Sequence, residues 1–104
     1  MDTFLIALEC AGVVIAVIGA GRMGTAIAAQ LALGGSAAGG VPAVVRMWDH
    51  SDFTRGRAKN ILEALLREAV EAELLTPALE AAAAARVSVA PTLDAACGGA
   101  DLVL

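Results

Sequence analysis

The chain is short of aromatic side chains. It has no tyrosine, two phenylalanines and one tryptophan, so it lacks the stacking platforms on which proteins lay single-stranded nucleic acid. Basic residues are also scarce, seven against eleven acidic ones, for a net charge of −4. A nucleic-acid surface needs the opposite balance, and no such partner is expected. Two cysteines, Cys10 and Cys97, and a single histidine, His50, are too few for a disulfide scaffold or a Cys/His zinc site. No metal is expected. Charged residues make up only 17%, which excludes a disordered chain, since that class is polar and highly charged. What remains is small and apolar: 59% of residues are hydrophobic, mean hydropathy is +0.77, and alanine alone supplies about a quarter. The core must be built from small side chains in close helix–sheet contact. At 104 residues there is room for one domain or part of one.

Residues 3 to 20, TFLIALECAGVVIAVIGA, form the longest apolar run, and about 20 such residues suffice to cross a bilayer. Three features oppose that reading. Glu9 sits inside the run, no basic cluster flanks it, and MDTF lacks the positive start of a signal peptide. Its second half is β-branched (Val13, Val14, Ile15, Val17, Ile18) and ends in glycines, as a buried parallel strand does. No membrane role is expected. A cytoplasmic location follows as the default for a chain with unpaired cysteines.

Strand-like and helix-like segments then alternate, the pattern of an α/β domain with a parallel sheet. The first strand is read as Val13 to Ile18, followed by the turn GAGRMG and a helix from Arg22 to Leu33 that stops at Gly34–Gly35. GGSAAGGVP, residues 34 to 42, reads as a surface insertion. A second strand covers Ala43 to Trp48, with Arg46 interrupting it. Ser51 suits the N-cap of a long helix from Asp52 to Leu75. Its apolar stripe is Ala58, Ile61, Leu62, Leu65, Leu66, Ala69 and Val70, and its opposite face alternates Lys59, Glu63, Arg67 and Glu71 four residues apart. Thr76–Pro77 restarts a helix to Arg86. Arg86 to Ala90 reads as a third strand, Leu93 to Cys97 as a short helix, and Asp101 to Leu104 as the start of a fourth strand.

The informative motif is VVIAVIGAGRMG, with G-x-G-x-x-G at Gly19, Gly21 and Gly24. A strand precedes it, a helix follows, and an acidic residue ends the next strand, which is the context of a dinucleotide fingerprint. Gly19 allows the tight turn, Gly21 leaves the backbone open to a pyrophosphate, and Gly24 allows close packing of the helix. The helix N-terminus favours phosphate charge. The cofactor-binding set is therefore Gly19, Ala20, Gly21, Arg22, Met23, Gly24 and Asp49. Asp49 follows Gly24 by 25 residues, against about 20 from motif to acid in the usual pattern. The 34–42 insertion accounts for the excess. At a strand end its carboxylate can accept both adenosine ribose hydroxyls and repel a 2′-phosphate, which favours NAD. Arg22 either leans over the pyrophosphate or stands in solvent. His50 reads as a loop residue on the adenosine side. Cys97 reads as a small buried residue rather than a nucleophile.

IAVIGAGRMGTAIAAQLALGG, Trp48–Asp49, the long helix with its Thr-Pro restart, and RVSVAPTLDAACGGADLVL together resemble the N-terminal domain of the L-3-hydroxyacyl-CoA dehydrogenase family, which includes the lens λ-crystallin branch. The resemblance covers Val13 to Leu104. It implies a Rossmann-type parallel sheet, incomplete at about four strands, with a long helix pair between strands two and three. It also implies NAD-dependent oxidation of a 3-hydroxyacyl-CoA to the 3-ketoacyl-CoA, as in fatty-acid β-oxidation. By the same resemblance Gly19 to Gly24 hold the pyrophosphate, Asp49 holds the ribose, and the helix from Asp52 lies near the CoA moiety. The family's catalytic residues follow strand four: a glutamate at the strand end, then a histidine in a His-x-Phe-x-Pro-like segment, with serine and asparagine helpers. None falls within these 104 residues, so no catalytic residue is assigned.

The expectation is thus the NAD-binding portion of such an enzyme, inactive alone, with residues 1–12 as a lead-in and 13–104 as a partial Rossmann domain. The acyl-CoA substrate would be completed by parts not present, and the full-length protein would be a homodimer. Two alternatives stay open: a dinucleotide-binding module without catalysis, and the NAD(P)-binding half of another reductase. A short exposed edge strand and the apolar excess predict poor solubility or self-association.

Overall fold

The computed structural model describes residues 13–34 and 41–104. Among these residues there are four strands and four helices: β1 Val14–Ile18, α1 Arg22–Ala32, β2 Val44–Trp48, α2 Asp52–Glu71, α3 Pro77–Arg86, β3 Val87–Val89, α4 Leu93–Cys97 and β4 Leu102–Val103. The sheet is parallel in the order β3-β2-β1-β4. The chain therefore steps outward from β1 through β2 to β3 and then crosses back to β1's other side. That reversal is the topological switch point at which open α/β sheets bind ligands beyond the strand carboxyl ends.

Alternation along the strands sorts the side chains by face. Ile15 and Val17 of β1, Val45 and Met47 of β2, and Val87 of β3 join one core with residues of α1, α2 and α3. From the helices come mostly small or branched groups: Ala28, Leu31 and Ala32, then Ala58, Leu62 and Leu66, then Ala83. The alanines let the α1 backbone approach the sheet. Ala16, Ala90 and Ala96 form a smaller second core on the opposite face, with Trp48, Cys97 and Ala100 against it. Cys97 is half-buried there, as a small packing residue.

Arg46 belongs to this second face, which explains a charge inside β2. Its guanidinium donates to the carbonyls of Ala95 at 3.0 Å and Gly98 at 2.6 Å, closing the carboxyl end of α4. Two other cations do the same elsewhere. Lys59 Nζ donates to the carbonyls of Ala84 and Val87, and Arg86 reaches the Ala32 carbonyl. Positive charge is favourable at these helix ends.

Several expectations need correction. The long helix ends at Glu71, not Leu75. Ala72 caps it, Glu73 takes the left-handed conformation at φ 62°, and the Leu74 N–H returns to the Ala69 carbonyl at 2.9 Å. The charged face of α2 forms no i,i+4 ladder among the described residues. Lys59 leaves for the α3 end, and Arg67 pairs with Glu80 of α3 at 2.9 Å. The first helix ends at Ala32 with Leu33 as its cap, followed by Gly34 at φ 91°. The strands are shorter than expected by one or two residues. No helix among the described residues is long and apolar enough to cross a membrane; Val14 to Ile18 of the apolar run is instead a central strand. The lead-in 1–12 and most of the insertion, 35–40, lie outside the described residues.

Candidate cofactor site

The carboxyl ends of β1 and β2 meet at the glycine turn. The Gly19 N–H donates to the Trp48 carbonyl at 2.7 Å, which holds the start of the turn against the end of β2. Gly19 sits at φ 117°, a region open to glycine and costly for other residues. The turn folds back so tightly that a Cβ on Gly24 would overlap the Gly19 carbonyl outright. Gly24 thus lets the first turn of α1 lie close against the end of β1. Gly21 is different. It has ordinary φ −73° as the N-cap of α1, and a Cβ there would meet nothing within 4 Å. The space above it is open.

Thr25, fully buried, donates its hydroxyl to the Ala20 carbonyl at 3.2 Å. This locks the turn from beneath. Its position one residue after the last motif glycine gave no signal of that role. Met23 is 79% exposed and Arg22 is exposed, so at these positions the backbone, not the side chain, shapes the turn.

The N-terminus of α1 is bare. Ser51, Thr76 and Thr92 each cap their helix with a side-chain oxygen, and Asp52, Glu80 and Asp94 add a carboxylate in the first turn. α1 has neither a side-chain cap nor an acidic residue in its first turn. Its leading N–H groups and positive dipole end stay unanswered by the described protein residues, beside the open space over Gly21. That is the geometry of an anion cradle.

Asp49 closes the other side. Its carboxylate accepts from the Ala20 N–H at 3.0 Å and the Ser51 N–H at 2.9 Å, so it ties β2 to the glycine turn. These two N–H groups, Ser51 foremost, hold its carboxyl below the usual aspartate range; burial opposes them, and the charges of His50 and Arg55 assist. The group is therefore ionised at neutral pH. Each oxygen has used one acceptor position on a backbone N–H and retains another. His50 Nδ1 lies 3.4 Å from Asp49 and is 90% exposed, on the rim. Arg55 stacks over the Trp48 ring, donates to the Asp49 carbonyl and pairs with Asp52, bracing the strand end. Arg55 did not stand out in the sequence, and Ser51 did so only as a helix cap, not as a partner of Asp49. The residues expected to form a cofactor site, Gly19 to Gly24 and Asp49, are thus brought together. No group among the described residues could hold a metal.

The family profile "3-hydroxyacyl-CoA dehydrogenase, NAD binding domain" matches residues 14–104. The chain belongs to this family. Solved structures agree. The 3-hydroxybutyryl-CoA dehydrogenase of Escherichia coli K12 superposes with a TM-score of 0.72 at 29% identity, covering 88% of this chain and 18% of that one. The (S)-3-hydroxybutyryl-CoA dehydrogenase of Ralstonia eutropha gives 0.70 at 28% identity, covering 89% and 30%. No curated protein sequence matches the chain. The chain spans less than a third of either dehydrogenase's length. What the match shows is an NAD-binding domain of this family, with NAD as its cofactor. The bare α1 terminus, the unfilled space at Gly21 and the ionised Asp49 all fit that cofactor.

Proposed function

We propose that the whole protein oxidises a 3-hydroxyacyl-CoA to the 3-ketoacyl-CoA in fatty-acid β-oxidation, and that this chain positions its NAD. NAD, when bound, supplies the hydride acceptor. The chain's own residues bind and orient it. The Gly19–Gly24 backbone, with Ala20, Gly21, Arg22 and Met23 between, cradles the pyrophosphate through the N–H groups of α1. Asp49 accepts the adenosine ribose hydroxyls. The observation that carries this reading is the α1 N-terminus, bare among the described residues and facing open space, where the other three described helices are capped.

Residues 13–104 act as this binding unit, with 1–12 as a lead-in. The acyl-CoA cleft and a homodimer interface would be completed by the rest of a full-length protein. His50, the only histidine, stands at the ribose side, so the chain alone supplies no base beside a reacting hydroxyl. The free thiol of Cys97 suits the reducing cytoplasm.

Titrating the chain with NADH, by fluorescence and by calorimetry, tests the proposal. The expected result is saturable binding, weakened about tenfold or more in Asp49→Ala by the loss of charge-assisted hydrogen bonds. No oxidation of 3-hydroxybutyryl-CoA by the chain alone is expected. A folded chain that ignores NADH would overturn the binding role, and turnover by the chain alone would overturn the division of labour.

A further inference from the structure

The hairpin of α2 and α3 carries a groove that the cofactor site does not use. Its volume is about 370 Å³, and Val70, Glu73, Leu74, Leu75, Pro77 and Leu79 line it. Leu75 packs inward against the main core. Leu74 is 81% exposed, more than any other large apolar side chain among the described residues, and Leu79 is 52% exposed. α2 begins three residues after Asp49 and runs for 20 residues, about 30 Å at the rise of an α-helix. The groove therefore lies at the end of α2 remote from Asp49 and the glycine turn.

Its surroundings carry charge of one sign. From residue 68 to residue 79 the chain has three glutamates, Glu68, Glu71 and Glu73, and no lysine, arginine or histidine. All three are exposed, and none pairs with a cation among the described residues. The helix adds to this. Arg46, Lys59 and Arg86 bring a cation to carbonyls at the carboxyl ends of α4, α3 and α1. α2 has no basic residue in its last turn, so its negative dipole end joins the glutamates uncompensated.

We propose that this groove docks a basic amphipathic helix of a separate protein. The partner's apolar stripe covers Leu74 and Leu79, and its lysines or arginines meet Glu68, Glu71 and Glu73. A helix seats in an apolar groove by anchors three or four residues apart, and its basic flank also answers the open carboxyl end of α2. Charge selects this occupant. A second copy docking by the same groove would set like charges against each other. Residues 1–12 and 35–40 contain no lysine or arginine to offer. An anionic membrane surface would repel the glutamates.

The test titrates the chain into a fluorescent leucine–lysine peptide, about four helical turns long with its leucines on one face, and follows anisotropy. A leucine–glutamate peptide of the same pattern is the counterpart. The lysine peptide is expected to bind at micromolar concentration, the glutamate peptide about tenfold or more weakly, and salt to erode the difference, since exposed charges are screened. Leu74→Ser should lower affinity for the lysine peptide about tenfold through lost apolar burial. Glu71→Gln should lower it about threefold, the scale of an exposed ion pair. Asp94→Asn, the same loss of charge on α4, should leave it unchanged. All three positions are exposed, and far-ultraviolet circular dichroism verifies that the variants fold. Equal binding of the two peptides, unchanged binding in Leu74→Ser, or equal losses in Glu71→Gln and Asp94→Asn overturns the proposal. Two further results would also overturn it. Adsorption to phosphatidylcholine vesicles that Leu74→Ser abolishes would assign the groove to a lipid surface, and self-association that Leu74→Ser abolishes would assign it to a second copy.

Discussion

Gly21 and Gly24 look alike in the motif, yet they answer to different constraints. A Cβ at Gly24 would run into the Gly19 carbonyl, whereas one at Gly21 meets open space at an ordinary φ. Gly24→Ala should therefore destabilise the fold by about 1–3 kcal/mol, the usual cost of overpacking. Gly21→Ala should unfold with the parent within about 0.5 kcal/mol but lose NADH affinity, because its methyl fills the cradle. Urea unfolding and NADH titration of both variants separate the two effects; equal destabilisation would refute the distinction. Asp49 adds a pH dependence. Its folded carboxyl titrates below the ordinary aspartate range, so the bonds to Ala20 and Ser51 stabilise the fold fully above that range. The contribution is lost as pH falls through the lower, folded pKa. Asp49→Asn should flatten the acid limb of a stability–pH profile below about pH 4 relative to the parent. An unchanged limb would show that the carboxylate contributes nothing there.

At the level of elements, capping decides the boundaries. α2, α3 and α4 begin where Ser51, Thr76 and Thr92 accept from the N–H three residues on. Serine and threonine before a helical pattern made two of these starts legible from local chemistry alone. The end of α2 was not legible. Apolar spacing continues through Val70, Leu74 and Leu75, but the chain turns at Glu73 in a left-handed conformation normally taken by glycine. The turn is needed because α3 must fold back on α2, where Arg67 meets Glu80. Glu73→Gly should relieve strain and raise stability by about 1 kcal/mol, seen as a melting temperature higher by about 4–8 °C. A lower melting temperature would mean that backbone freedom in the unfolded chain outweighs the strain. Arg46 shows the same limit of sequence reading. A lone charge in a strand weakens the pattern, and only its two bonds to the carboxyl end of α4 explain it.

At the scale of the whole molecule, one core is well covered and one side is thin. Three helices pack on one face of the sheet; the other carries the five-residue α4 and leaves Val44 and Ile18 40% or more exposed. β4 lies at the sheet edge with Leu102, Val103 and Leu104 41–49% exposed. Exposed strand edges pair with other chains. The isolated chain should associate at micromolar concentration, measured by size-exclusion chromatography with light scattering. Val103→Lys should shift it toward monomer, because a charged edge residue opposes strand addition. A sharp monomer peak for the parent chain would contradict this.

By itself the sequence determined the alternation of strands and helices, the glycine turn, and the pairing of that turn with an acidic strand end. These are local matters: apolar periodicity, side-chain caps and residues without a Cβ act within a few positions of themselves. Tertiary structure alone decided that Asp49 would bind the Ala20 N–H across 29 positions and that Arg46 would reach the Ala95 and Gly98 carbonyls across 49 and 52. It also decided that Arg22 and Arg57 share one cavity while Arg46, Lys59 and Arg86 close helix ends. Those contacts depend on distances between segments far apart in the chain, which no local propensity encodes, and they exist only once the parallel sheet has brought its strand ends together.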